Sequence, residues 1–149
     1  MGRTRTYREL IAWQKAMKLT NMAYRLSQDF PRKEAFGLAS QLRWAAVSVP
    51  WNIAQGHGRR TDSQFLHFLG NATGSLYEVQ TQIELARDLG YLDSGRVAGF
   101  MEQGWEVARL INGLITSLRE MNAVSSGALA PGTARSAANS ASPAAKELR

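Results

Sequence analysis

Between residues 65 and 86 the apolar side chains Phe65, Leu69, Ala72, Leu76, Val79, Ile83 and Ala86 follow one another at alternating steps of four and three. That spacing places all seven on one face of a helix for three heptads and on no single face of a strand. A helix with such a stripe has to bury it against other helices, and the chain supplies three more. Residues 95–121 carry Val97, Met101, Gly104, Ala108, Ile111, Ile115 and Leu118, widened by Phe100, Val107, Leu114 and Met121. A second helix reads Ala35, Ala39, Leu42, Ala46, Val49 and Ile53, and a first carries Leu10, Trp13, Met17 and Tyr24 beside Leu19, Met22, Ala23, Leu26 and Phe30. No strand alternation competes, so the fold class is all-α.

Local punctuation divides the four helices. Pro31 is expected to stop the first, and Gly56 and Gly58 end the second before Thr61, Asp62 or Ser63 caps the third. Gly90 before Tyr91 and Leu92 looks like a left-handed C-terminal cap, and Asp93 or Ser94 can open the fourth helix. Pro50 falls inside the second helix, where it deprives the carbonyl near Ala46 of its donor and should kink the rod. Connections this short force antiparallel neighbours, and the expected architecture is an up-down-up-down four-helix bundle over 1–122. Residues 123–149 contain no aromatic residue and repeat Ala, Ser, Gly and Pro. Such a segment cannot offset its ordering entropy by burial, so a flexible tail is expected.

Several function classes drop out on residue content. The chain has no cysteine, which excludes thiolate metal sites and a cysteine nucleophile. A dinuclear metal bundle needs paired Glu-x-x-His motifs, whereas Ala54 and Gln64 stand three residues before His57 and His67, which read as loop and surface residues. No Gly-x-Ser-x-Gly elbow occurs, and Gly56-x-Gly58 is too short for a dinucleotide fingerprint. Catalysis by this chain alone is not expected, and no cofactor or metal is implied. Arg3, Arg5 and Arg8 resemble the start of a secretion signal, but Lys15 and Lys18 interrupt the apolar run that should follow. No transmembrane helix is present in the pattern, and a cytosolic location is the expectation.

Charge is unevenly spread. The 149 residues carry a net +6, and 14 of the 18 basic residues are arginine, the side chain best shaped for bidentate phosphate contacts. Residues 1–33 hold eight basic and two acidic side chains, while residues 61–93 hold one and five. In an up-down-up-down bundle Arg3, Arg5, Arg8, Arg59, Arg60 and Arg119 converge on one pole, with His57, Trp51 and Trp13 nearby. Asp29, Glu34, Asp88 and Asp93 gather at the other beside Arg32 and Lys33. The basic pole suits a polyanion, with arginines on phosphates and aromatics stacking on unpaired bases. A solvated charged face is the plainer alternative.

Trp13 falls on the apolar stripe of its helix, where a core or subunit-contact role fits. Trp44 and Trp51 stand one heptad apart and off the stripe of theirs, which suggests a subunit interface, with base stacking as the alternative. Arg43, Asn52, Gln55, Arg60, Glu78 and Gln82 are polar residues set in apolar helices, and buried polar groups need partners. They are expected to form either a structural network across the Pro50 kink or a ligand-contacting cluster.

Residues 40–92 carry Ser40-Gln41-Leu42-Arg43, Ala45-Ala46-Val47-Ser48-Val49-Pro50, Asn52-Ile53-Ala54, Gly56, Gly58-Arg59-Arg60, Phe65, Gly74-Ser75-Leu76, Glu78, Gln82 and Leu89-Gly90-Tyr91-Leu92. With Leu10, Trp13-Gln14-Lys15-Ala16 and Phe30-Pro31, this pattern resembles the four-helix bundle proteins also known as 23S rRNA-intervening-sequence proteins, over about residues 1–120. The resemblance implies an antiparallel bundle assembled into a homopentameric ring. It also implies kinship with accessory proteins of diversity-generating retroelements, which bind nucleic acid and a reverse transcriptase. Trp44 stands where the family usually has a second Arg or Lys, and Gln55 where it usually has Glu, so neither charge is present here.

Three hypotheses remain. The first is a homo-oligomeric accessory factor that binds RNA or single-stranded DNA through the basic pole, alone or with a nucleic-acid-processing protein. The second is a homo-oligomeric scaffold whose charges serve subunit contacts, and the third is a catalytic bundle. The first is the preferred reading.

Overall fold

The heptad stripe at 65–86 forms one long helix, α3 (Asp62–Asp88), and all seven of its apolar residues are buried. The computed structural model describes residues 4–127. Its other helices are α1 (Ile11–Ser27), α2 (Leu38–His57) and α4 (Ser94–Ser125), with single 3-10 turns at Tyr7–Glu9 and Arg32–Glu34. No strand occurs among the described residues.

The chain divides into two compact units, Met1–Ile115 and Thr116–Arg149. The first holds an antiparallel up-down-up-down bundle of α1, α2, α3 and α4 as far as Ile115. In it α1 lies against α2 and α2 against α3, while α1 and α3 are not adjacent. The third side closes through the Tyr77 and Trp105 rings of α3 and α4, 6.3 Å apart, and the fourth through Lys15 of α1, 3.4 Å from Glu106 of α4. The order around the bundle is therefore α1, α2, α3, α4. Of the second unit, the described part is the last turns of α4 to Ser125 and a turn at Ser126 and Gly127. The helix thus continues three residues beyond the expected boundary at 122, and the rest of the expected tail, 128–149, lies outside the described residues.

Helix ends follow local chemistry. Thr61 caps α3 by accepting from the backbone N–H of Gln64, and Asp93 accepts from that of Arg96 at the start of α4. At the end of α3, Gly90 takes φ +79°, a region favourable to glycine. This lets Tyr91 N–H reach back to the Ala86 carbonyl at 2.8 Å. The first helix, by contrast, ends at Ser27 rather than at Pro31. Asp29 and Phe30 instead make 3-10-type bonds to Leu26 and Ser27, and the Phe30 ring is buried beside Tyr91.

The buried face of α1 differs in part from expectation. Leu19 and Ala23 are buried as expected and Ala12, Ala16 and Ser27 join them, while Met17 and Tyr24 are exposed and Trp13 is half-buried. Small side chains allow α1 to lie close to α2, and that closeness resolves the Pro50 problem. Helix α2 runs through Pro50, which cannot donate to the Ala46 carbonyl, and Thr20 Oγ1 of α1 donates to it instead at 3.0 Å. Thr20 also lies 2.9 Å from the Ala16 carbonyl of its own helix, so its single proton is shared. At the other end of α2, Gly56 meets α3. A Cβ there would stand 2.8 Å from both Phe65 Cδ1 and Phe68 Cβ, so only glycine allows this approach.

Thr20→Val keeps the shape of the side chain and removes the donor to the buried Ala46 carbonyl. It is expected to lower stability by ~1–3 kcal/mol in urea denaturation, with Thr20→Ser retaining most of the wild-type value.

Candidate nucleic-acid interface

One end of the first unit is built by the segment entering α1, the end of α2 and the start of α3. The segment is pinned by His57, whose Nε2 lies 3.0 Å from the Thr4 carbonyl and 3.1 Å from Thr4 Oγ1. A carbonyl only accepts, so Nε2 carries the proton in this bond. His57 is thus the last residue of α2, half-buried and edge-on to Phe65, rather than a loop residue. The Tyr7–Glu9 turn then packs on α1 and α2. Thr6 caps the turn by accepting from Arg8 N–H, and Glu9 reaches back to Arg5 N–H at 3.2 Å.

This arrangement brings Arg5, Arg8, Arg59 and Arg60 to one end, all exposed. Arg8 lies over the Tyr7 ring, which meets Trp13 edge-on at 5.1 Å, and the Arg59 guanidinium sits 4.5 Å from the centre of the Phe68 ring. Arg59, Ser63, Gln64, His67 and Phe68 line an open hollow of about 370 Å³ over the first turns of α3. Glu9 and Asp62 share this end, so it is basic in excess rather than purely basic. Arg3 lies outside the described residues. Arg119 is an exposed residue of the second unit. Sequence reasoning missed Phe68, Ser63 and Gln64. The signal for Phe68 was its place three residues after Phe65, on the flank of α3 that meets Gly56.

The expected polar network does not assemble. Gln55 and Glu78 are exposed, and among the described residues no hydrogen bond joins any two of Arg43, Asn52, Gln55, Glu78 and Gln82. Asn52 donates to Ser48 of its own helix, bridging the turn that contains Pro50. Arg43 donates through Nε to Ser27 Oγ at 2.9 Å and lies over the Tyr24 ring, which ties α2 to α1. Gln82 is buried, as is Gln80, which the heptad pattern does not single out. Gln80 lies across Gly104 of α4, where a Cβ would meet its Nε2 at 2.6 Å. Among the described residues Gln80 Nε2 and Gln82 Oε1 find no hydrogen-bond partner.

Trp44 and Trp51 are exposed at 69% and 53%, and Phe36 at 99%. The two tryptophans and Phe36 line one open groove of about 430 Å³ between α1 and α2, together with Tyr24, Arg43 and Val47. The opposite end of the bundle holds a charged clamp, in which Arg96 bridges Asp93 and Asp29. Among the described residues no three His, Asp or Glu side chains gather to hold a metal ion, and no helix is long and apolar enough to cross a membrane.

A family model described as 23S rRNA-intervening sequence protein matches residues 8–113. That span includes Arg8, Arg59, Arg60, Phe68 and the whole α1/α2 groove. No curated protein is similar enough to the chain to count as a relative.

The Asp93 carboxyl is held below its ordinary value of 3.8, first by the backbone N–H of Arg96 and then by its guanidinium. A lowered native value means that the stabilisation is present above pH 3.8 and disappears as pH falls through the native value. Arg96→Ala removes the guanidinium and keeps the backbone donor. A carboxyl NMR titration should therefore show Asp93 moving part of the way back towards 3.8.

Proposed function

Because the chain belongs to the 23S rRNA-intervening sequence protein family, we propose that it is a non-catalytic helical bundle that assembles with copies of itself into a ring. In this reading it binds RNA or single-stranded DNA through the basic pole as an accessory factor, with a pentamer as the expected ring. One observation carries the reading. Arg5, Arg8, Arg59 and Arg60 stand exposed at one end, where Arg59 and Phe68 line an open hollow. Four guanidinium groups can neutralise several phosphates of a strand, and phosphate contacts supply most of the affinity of sequence-independent binding. The Arg59 plane over Phe68 offers a flat cationic surface on which an unpaired base can stack. Helix α3 begins beside it, so its first-turn N–H groups add favourable potential for an anion, moderated by Asp62.

A scaffold without nucleic-acid contact is the second reading, and the exposed Trp44 and Trp51 favour it. Salt dependence separates the two. Replacing Arg59 and Arg60 with alanine leaves the buried seam untouched and should weaken binding of fluorescent RNA or single-stranded DNA oligonucleotides regardless of their sequence. The plot of log affinity against log salt should flatten by about 0.7 for every phosphate that the double variant no longer neutralises. Wild-type protein that binds no oligonucleotide at ~50 mM salt would leave the scaffold reading in place. So would a double variant with an unchanged slope and an unchanged circular dichroism spectrum.

A further inference from the structure

The first unit exposes large apolar side chains on two opposite sides. On one side is the α1/α2 groove with Tyr24, Phe36, Trp44 and Trp51. On the other, Tyr77 of α3 and Trp105 of α4 meet and remain 49% and 47% exposed. These sides are opposite because α1 borders α2 and α4 but not α3. Isolated exposed apolar residues are ordinary on a protein surface, whereas a groove lined by four large ones needs an occupant.

The charges indicate which occupant. Helices α1 and α2 carry Lys15, Lys18, Arg25 and Arg43 and no acidic side chain. Helix α3 carries Asp62, Glu78, Glu84 and Asp88 against the single Arg87. Tyr77, Thr81, Glu84 and Asp88 follow at steps of four, three and four, so the acidic groups share the exposed face of Tyr77. Docking two grooves on each other about a two-fold axis would set basic helices against basic helices. Docking the groove of one copy on the α3/α4 face of the next pairs aromatic with aromatic and basic with acidic.

We propose that the occupant of the α1/α2 groove is the Tyr77 and Trp105 face of a second copy of this chain, in a head-to-tail contact. This rests on the self-assembly in the functional reading above and specifies the two faces that make it. A head-to-tail contact repeats until it closes on itself, so it builds rings, while a two-fold contact stops at a dimer. Its centre is aromatic, with Arg43 fixed at the edge of the groove by Ser27 and Tyr24 and available to acidic groups of the neighbour.

Two variants test it. Trp44→Gln with Trp51→Gln disables the groove, and Tyr77→Gln with Trp105→Gln disables the opposite face. All four side chains are about half exposed or more, and circular dichroism checks that each variant stays folded. Masses are read by native mass spectrometry or light scattering at micromolar concentration. The expected result is an oligomer for wild type, a monomer for each variant alone, and a 1:1 heterodimer with nothing larger when the two are mixed, since each supplies the face the other lacks. Should a double replacement unfold the chain, Trp51→Gln and Tyr77→Gln as single changes carry the same test through weakened assembly and recovery on mixing. A Tyr77/Trp105 variant that still dimerises alone would show groove-on-groove docking and overturn the proposal. A wild-type oligomer that survives both sets of changes would overturn these faces while leaving self-assembly intact. A monomeric wild type would overturn self-assembly itself.

Discussion

The buried seam of α3 determines the surroundings of every other residue on that helix. With Leu69, Leu76 and Ile83 alternating with Phe65, Ala72, Val79 and Ala86 at the core, only two flanks are left for neighbours. Phe68 and Gln82 fall on one flank, and Phe68 meets Gly56 of α2 there. Gln80 falls on the other and lies across Gly104 of α4. Gly70, Gly74, Tyr77, Thr81, Glu84 and Asp88 turn outward. A shift of one residue in this register would bury Tyr77 or Glu84 and expose the seam. The acidic outer face and the arginine platform on Phe68 are therefore consequences of the same spacing that builds the core.

The elements legible in the sequence are those in which large apolar side chains mark the buried face. The apolar seam of α3 is legible residue for residue, and the caps at Thr61, Gly90 and Asp93 follow because capping is chemistry between near neighbours in the chain. Helix α1 misleads for the complementary reason. A stripe drawn through Leu10, Trp13, Met17 and Tyr24 runs partly over exposed surface, whereas close approach to α2 buries the small Ala12, Ala16 and Ser27 beside the expected Leu19 and Ala23. The same closeness hides Thr20. The orphaned carbonyl near Ala46 is foreseeable from Pro50, yet its donor comes from 26 residues away and no local pattern names it.

Part of the basic pole is visible in the sequence and part of its construction is not. Up-down-up-down topology alone places Arg5, Arg8, Arg59 and Arg60 at one end. Their fixation depends on contacts between segments brought together only by folding, His57 with Thr4 and Arg59 with Phe68. The expected network of Arg43, Asn52, Gln55, Glu78 and Gln82 fails because polar residues at helical positions do not all share one interior. Gln55 and Glu78 instead turn to solvent, while Arg43 and Asn52 bond nearer partners, Ser27 and Ser48.

In the proposed function, the placement of charge would let one chain hold two interfaces without confusing them. A strand drawn to the pole would be held mainly by phosphate contacts, which weaken steeply as salt removes the advantage of releasing counterions. The proposed groove contact would have an aromatic centre, and burial of apolar surface is not screened. Exposed ion pairs at its rim count for little once the Debye length falls to about 10 Å near 0.1 M salt. Rising salt should therefore detach nucleic acid well before it separates subunits. If the order were reversed, the charges of α1 and α3 rather than Trp44, Trp51, Tyr77 and Trp105 would be holding the copies together.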